Sequence, residues 1–246
     1  MNPLVVRSVS RRFGGLDALV DVSMELIPGE RRAIIGTNGA GKTTLFNILD
    51  GQIPPSSGEI WLFGENVTAA PTHRRAALGL GRTFQITSLF PKLTVLENML
   101  IAVQALTPSH FSFVRPIEAY PQTFARSREL LEQWSLWDAK DEQVHNLSHG
   151  VQRKLEIVLA LASEPKLLLL DEPMAGLSAA ETHLTADIVL ALDRSTTVLL
   201  IEHDLAAAFQ IADRVTALDR GRIVAEGTPD EIRREARLNE IYLRGG

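Results

Sequence analysis

The sequence predicts an α/β fold in which helices cover a parallel sheet and one helical stretch interrupts the alternation. Two strand-sized apolar runs, KLLLLD at 166–171 and TTVLLIE at 196–202, are each followed by a helical pattern. Such near-continuous apolar strands are typical of a parallel sheet that is buried on both faces. From about residue 86 to 145 helical patterns dominate instead. We therefore expect an α/β core with a helical insertion.

The first third of the chain predicts strands around one glycine-rich turn. The strand that leads into this turn is short and apolar, and the helix that leaves it is ended by Gly51 and a loop rich in proline and serine. The predicted elements are strands at 4–9, 19–27, 31–36 and 59–67, and a helix at 42–50.

The rest of the chain predicts the insertion and then the return of the alternation. The expected elements are helices at 94–106, 124–134, 149–162, 179–192 and 204–212, strands at 166–171 and 196–202, and a strand pair at 214–227. We expect a single domain over residues 1–246. Its α/β core covers about 1–85 and 150–246, and its helical subdomain covers about 86–149.

Composition narrows the possible functions. The chain has 246 residues, 45% of them hydrophobic, and a formal net charge of −5, so binding to long nucleic acid is not expected. It has no cysteine, which excludes disulfides, thiolate metal sites and a cysteine nucleophile. A charged residue, Arg7, already occurs near the start and no long apolar stretch surrounds it, so a signal peptide is not expected. No apolar run approaches 18 residues, so a membrane-spanning segment is not expected either.

The segment GTNGAGKTT at 36–44 fits the phosphate-binding pattern G-x-x-x-x-G-K-[ST]. It follows a predicted strand and opens a predicted helix, which is the context that the pattern requires. Lys42 can reach the β- and γ-phosphates and the Thr43 hydroxyl can bind Mg²⁺. We expect the Lys42 side chain to lie outside the packed core. The predicted nucleotide-binding residues of the loop are Gly36, Asn38, Gly39, Gly41, Lys42, Thr43 and Thr44.

Polar residues end the two apolar strands of the second half. Asp171 is predicted to hold Mg²⁺, and Glu172 to polarise an attacking water. A glutamate next to the aspartate favours a hydrolase over a kinase, because hydrolysis needs a positioned water. His203 follows the neighbouring strand and is predicted to lie near the γ-phosphate. Taken alone, these residues could also be a strand-end acidic pair and a surface histidine.

Four further residues are candidates for the functional site. Gln85 is predicted to contact Mg²⁺ or the water, although a lone glutamine is usually solvated. Phe13 could stack on a purine or could equally be a core residue. Ser148 and Gly150 stand at the start of a predicted helix, where a hydroxyl and a glycine favour an anion.

Together these motifs resemble the nucleotide-binding domain of ATP-binding cassette (ABC) proteins. The resemblance implies a P-loop NTPase core with an additional antiparallel β subdomain and the helical subdomain, and an ATPase that uses ATP and Mg²⁺. It also implies that LSHGV at 147–151 is the signature loop, whose Ser148 and Gly150 bind the γ-phosphate of ATP held by a second ATPase chain. His149 and Val151 depart from the family pattern L-S-G-G-Q, and Ser178 stands where the family often has aspartate.

The segments GRTFQITSLFPKLTVLENM and LSHGVQRKLEIVLALASEPKLLLLDEPMAGLSAAE resemble ATPase subunits of branched-chain amino acid importers, as does GRIVAEGTPDEI. The similarity favours the larger ATPase type of these systems, and urea and amide importers are related. It implies transmembrane permease subunits, a second ATPase in a homo- or heterodimer, an extracytoplasmic solute-binding protein and a peripheral position at the cytoplasmic face of the inner membrane. The alternatives are a soluble ABC-type ATPase not coupled to transport and a P-loop kinase.

Overall fold

The computed structural model describes residues 1–83, 89–105 and 121–235. Strands open the chain, helices dominate its middle, and strands and helices alternate from Leu167 onward. The described strands are β1 Leu4–Phe13, β2 Leu16–Leu26, β3 Arg31–Ile35, β4 Ser57–Leu62, β5 Glu65–Asn66, β6 Leu80–Arg82, β7 Leu167–Asp171, β8 Thr197–Ile201, β9 Arg214–Asp219 and β10 Arg222–Gly227. The described helices are α1 Lys42–Leu49, α2 Thr72–Leu78, α3 Val95–Gln104, α4 Pro121–Gln133, α5 His149–Leu161, α6 Ala179–Ala191, α7 Leu205–Ile211 and α8 Pro229–Arg234.

The larger sheet is mostly parallel, as predicted. Its strand order is β10-β9-β3-β8-β7-β6, and all neighbours are parallel except β10 and β9. Every residue of β3, β7 and β8 is buried, which explains the apolar runs that end β3 and make up most of β7 and β8. Because these three strands are parallel, the residues that follow them lie at the same edge of the sheet. The glycine-rich turn follows β3, Glu172 follows β7 and His203 follows β8 by two residues, so all three lie at this edge.

The second sheet is antiparallel, with strand order β2-β1-β4-β5, and it confirms the antiparallel β subdomain. Strands β1 and β2 form a hairpin whose register pairs Leu4 with Leu26 and Phe13 with Leu16. Inward-facing residues of this sheet share one hydrophobic cluster with α1 and the parallel sheet. That cluster includes Leu4, Leu19, Leu45, Phe46, Leu169 and Leu199.

The prediction of one strand over 59–67 is wrong. The structure has two antiparallel strands there, β4 and β5, joined at Phe63 and Gly64. Both residues have positive φ, +49° and +84°, as a two-residue hairpin turn requires. The sequence pattern hid the turn because Phe63 continues the apolar run, although phenylalanine seldom adopts this conformation.

The described chain divides into two compact units, one of Met1–Arg82 with the described residues after Pro165, and one of the described residues between Thr83 and Pro165. In the second unit α3, α4 and α5 enclose a core of their own, which includes Val95, Met99, Leu131, Leu155 and Val158. Helix α5 therefore packs in the second unit. The division at about residue 150 and the assignment of the chain to one domain stay predictions. No helix among the described residues combines the length and the apolar character that crossing a membrane requires.

Candidate nucleotide site

The turn between β3 and α1 leaves no room for a Cβ at Gly36, where it begins, or at Gly41, where it ends. At Gly36 a Cβ would lie 2.3 Å from the Leu218 carbonyl oxygen, and at Gly41, where φ is +106°, it would lie 2.6 Å from the Ala18 carbonyl oxygen. Gly39 also has positive φ, +81°, but a Cβ there would meet nothing within 4 Å. The turn is thus packed at its ends and open at Gly39. Because Gly41 provides no side-chain cap, the first N–H groups of α1 are suited to an anion.

Lys42 is buried, so the expectation that it lies outside the packed core is wrong. It is 6% exposed, and its Nζ donates to the carbonyl oxygens of Gly36 (2.7 Å) and Thr37 (3.1 Å). Burial lowers the pKa of Lys42, and the nearby carboxylates of Glu172 and Asp171 oppose this shift. The ammonium group therefore lies inside the loop, against the backbone that is predicted to surround a phosphate. Asn38 and Thr43 are exposed and Thr44 is half-buried.

Asp171, the last residue of β7, is 1% exposed and forms an ion pair that sequence reasoning missed. Its Oδ2 accepts a hydrogen bond from Arg82 Nη2 at 3.0 Å. The same guanidinium contacts Asp50 at 3.3 Å and Asn47 at 2.9 Å. Arg82 therefore connects β6, in which it lies, with α1 and its C-cap residue Asp50, and with β7. The only sequence signal for this role was an arginine at the end of a short apolar segment, GLGR.

Glu172 and His203 lie beside each other. Asp171 pairs with Ile201 in the parallel register, and the Glu172 N–H donates to the Ile201 carbonyl oxygen at 3.0 Å. Glu172 Oε2 is 3.9 Å from His203 Nδ1, and the two side chains are 18% and 54% exposed. Glu172 has φ +47°, a left-handed conformation that is strained for a side chain of this type and occurs both in turns and at functional sites. The structure brings the two residues together, and their catalytic roles stay predictions.

Glu202 is a third acidic residue at this edge, and the sequence analysis did not single it out. It precedes His203, is 0% exposed, and its Oε1 accepts a hydrogen bond from the Met174 N–H at 3.0 Å. Burial raises the pKa of Glu202 to about 7, and the Met174 N–H partly opposes this shift. The signal in the sequence was a charged residue that directly continues a fully apolar strand.

Phe13, the last residue of β1, is 42% exposed, which argues against the core alternative. The Arg11 guanidinium lies 4.5 Å from the centroid of its ring, and Arg11 Nη1 donates to the Pro54 carbonyl oxygen at 2.9 Å. One face of the ring is therefore covered by a cation. Adenine stacking on Phe13 stays a prediction.

Three predicted residues remain, Gln85, Ser148 and Gly150. Gln85 lies outside the described residues. Ser148 and Gly150 belong to the second unit, where Ser148 is the N-cap of α5 and its Oγ accepts from the Val151 N–H at 3.4 Å. Ser178 is the N-cap of α6 and forms a capping box with Glu181. Since aspartate is also a good N-cap, either residue can cap the helix here.

Comparison with known sequences gives one family and several relatives. The profile of the ABC transporter family matches residues 19–175, which include the glycine-rich turn and the Asp171–Glu172 pair. The chain is 38% identical to the high-affinity branched-chain amino acid transport ATP-binding protein LivG of Escherichia coli K12 over 98% of this chain and 97% of LivG. It is 35% identical to the corresponding BraF of Pseudomonas aeruginosa, with the same coverage. It is 31% identical to the lipopolysaccharide export system ATP-binding protein LptB of Escherichia coli K12 over 99% of this chain.

Solved structures give the same fold over nearly the whole chain. The ADP conformation of MJ1267, an ATP-binding cassette of an ABC transporter, has a TM-score of 0.90 at 30% identity and covers 99% of both chains. A nucleotide-free ATP-binding cassette from an ABC transporter has a TM-score of 0.88 at 29% identity and covers 98% of this chain. The arrangement of both sheets and the helices is therefore shared with structures of this type.

Proposed function

Since this chain belongs to the ABC transporter family and is an ATPase of that family, we propose that it powers a membrane importer for branched-chain amino acids or a related small polar solute. The observation that carries the proposal is the end-to-end similarity to LivG, which is 38% identical. LptB, which serves an export system, is 31% identical over a similar length. The higher identity with LivG and BraF favours the amino acid importers.

The glycine-rich turn and Lys42 bind the phosphates of the nucleotide. The N–H groups at the start of α1 and the Lys42 ammonium converge on one loop, and both favour an anion. The Lys42 ammonium donates to the loop's own carbonyl oxygens, and a bound phosphate offers it a charged acceptor in place of these neutral ones. Phe13, half-exposed and backed by Arg11, stacks on adenine.

Hydrolysis uses Glu172 as the general base. Its carboxylate is partly exposed and follows the strand that ends in Asp171, so a water beside the γ-phosphate can give it a proton. His203, 3.9 Å from this carboxylate, contacts the γ-phosphate and helps to orient it. Attack of the water oxygen on the γ-phosphorus breaks the bond to the bridging oxygen and releases ADP and phosphate.

The residues present fit a magnesium ion. Thr43 provides an exposed hydroxyl and Asp171 a carboxylate, and oxygen atoms are the ligands that Mg²⁺ prefers. Arg82 holds one oxygen of Asp171, which orients the carboxylate. When bound, Mg²⁺ supplies positive charge to the β- and γ-phosphates. Gln85 is the further ligand proposed from the sequence.

The working unit is a dimer with a second ATPase chain, docked on transmembrane permease subunits at the cytoplasmic face of the membrane. Ser148 is exposed at the start of α5, where helix N–H groups favour an anion. Together with Gly150 it contacts the γ-phosphate of ATP on the second chain. An extracytoplasmic solute-binding protein delivers the solute to the permeases.

Purification of the tagged full chain from membranes, followed by reconstitution with the subunits that accompany it, tests the proposal. ATP hydrolysis is measured with leucine, isoleucine and valine, each with the solute-binding protein. Stimulation by these amino acids supports the proposal, and stimulation by urea or amides alone identifies the related importers. Recovery of an active chain with no membrane subunit would instead support the soluble ATPase.

A further inference from the structure

The loop that follows the proposed general base is held by a buried carboxyl group from the next strand. Glu202 is fully buried, and its backbone N–H continues the parallel ladder by donating to the Ile34 carbonyl oxygen at 3.1 Å. Its side chain reaches sideways to the loop after β7 and accepts the Met174 N–H at 3.0 Å. Met174 itself is 6% exposed, so this hydrogen bond is shielded from water.

Backbone hydrogen bonds hold the loop on either side of this contact. The Glu172 N–H is fixed by the Ile201 carbonyl oxygen at 3.0 Å, and the loop then turns on itself, with the Ala175 N–H donating to the Glu172 carbonyl oxygen at 3.1 Å. The bond to Glu202 lies between these two points. It anchors Pro173 and Met174, which follow Glu172, to the end of β8, where His203 also lies.

We propose that Glu202 is a positioning residue for ATP hydrolysis, which holds the loop after Glu172 against the end of β8 and thereby sets the arrangement of Glu172 and His203. The inference rests on the proposed roles of these two residues. Glu202 itself touches neither nucleotide nor water in this scheme.

The burial of Glu202 and the backbone conformation of Glu172 support this role. Burying a carboxyl group costs free energy, so an apolar side chain would serve packing better at this position, and the acceptor is the property that an apolar residue lacks. Glu172 also has a strained left-handed conformation at φ +47°, which persists only where neighbouring contacts determine it. The hydrogen bond from Met174, two residues later, is such a contact.

The test compares Glu202→Gln with Glu202→Met in the purified full chain. The glutamine retains an oxygen that accepts the Met174 N–H, whereas the methionine fills a similar volume without a comparable acceptor. We expect kcat to fall by on the order of 10- to 100-fold in Glu202→Met, as misplacement of a catalytic group does, with the Kd for ATP unchanged. We expect Glu202→Gln to keep kcat near the wild-type value.

Thr197→Val is the matched control. Thr197 is buried at the other end of the same strand, and its Oγ1 accepts the Gly29 N–H at 3.0 Å, so it also holds a loop through a side-chain acceptor. It should lower the melting temperature without lowering kcat. If Glu202→Met does not fold, Glu202→Ala removes the acceptor without adding bulk and takes its place.

Wild-type kcat in Glu202→Met would overturn the inference, and so would equal losses in Glu202→Met and Glu202→Gln or a matching loss in Thr197→Val. A Glu172→Gln variant measured alongside separates the inferred role of Glu202 from the proposed role of Glu172. If Glu172→Gln is inactive while Glu202→Met is normal, only the inference about Glu202 fails. If Glu172→Gln hydrolyses ATP normally, the proposed role of Glu172 fails as well.

Discussion

Glu172 combines a strained backbone, a partly exposed carboxylate and a histidine 3.9 Å away, which together match a group that takes a proton from water. Glu172→Gln should therefore keep ATP binding and lose at least ~10²-fold in turnover, as expected for a lost general base. A dimer in which bound ATP bridges the two chains should then accumulate. Calorimetry with ATP and a steady-state phosphate assay measure the two effects, and near-normal turnover would contradict the assignment.

Phe13 is half-exposed and held by Arg11, so its ring is available on its other face. Phe13→Ala should weaken ATP binding by ~1–3 kcal/mol, the range for stacking of a base on an aromatic ring, and Phe13→Tyr should have a small effect. Titration calorimetry with ATP checks this. Unchanged affinity together with a lower melting temperature would show that the ring is structural.

Glu202 should make stability depend on pH. Its pKa is raised to about 7 from the usual 4.5 because the side chain is buried, with Glu172 and Asp204 as neighbouring acids. The folded state therefore binds this proton more tightly than the unfolded state. The stabilisation is complete below pH about 4.5 and is lost as the pH rises through about 7.

Glu202→Gln removes this titration, so the free energy of unfolding should fall less between pH 5 and 8 than in the wild type, by on the order of 3 kcal/mol at most. Urea unfolding at each pH measures the difference. Thr197→Val should keep the wild-type pH dependence. Parallel curves for Glu202→Gln and the wild type would contradict the expected titration.

At the scale of elements, Ser178 shows how a departure from the family pattern can be structural. Its Oγ accepts the Glu181 N–H, and the Glu181 carboxylate accepts the Ser178 N–H. Ser178→Ala should destabilise the chain by about 0.5–2 kcal/mol through loss of the α6 cap. Ser178→Asp should keep stability, because aspartate is also a good N-cap. Urea unfolding compares the two, and equal stability of Ser178→Ala and the wild type would contradict the prediction.

At the scale of the whole molecule, the shared-site proposal is tested by mixing damaged chains. A Ser148→Arg chain lacks only the signature contact, and a Lys42→Ala chain lacks only the phosphate-binding lysine. In a mixed dimer one site carries both lesions and the other carries neither, so partial ATP hydrolysis should return. If the natural partner is a different ATPase, the two substitutions are placed on different subunits. Absence of rescue in both arrangements would contradict a site shared between chains.

The sequence by itself determined the features that depend on contiguous residues. The spacing of GTNGAGKTT predicts a turn between a strand and a helix, because glycines and one lysine at these positions specify a local backbone and its anion. Runs such as LLLLD predict parallel strands, because full burial requires apolar residues on both faces. The pairing of Glu172 with His203 followed from the same rule, since parallel strands end at one edge.

Only the tertiary structure decided the contacts between separate elements. Arg82, Asp50 and Asp171 come from three separate segments of the chain, and Arg82 forms ion pairs with both aspartates. The buried Arg75 of α2 donates to the carbonyl oxygens of Ile48 and Leu49. Glu202 finds its partner at Met174, and Lys42 is buried by its own loop. The physical reason is that the environment of a polar side chain depends on which elements lie next to it, and residue spacing along one element does not contain that information.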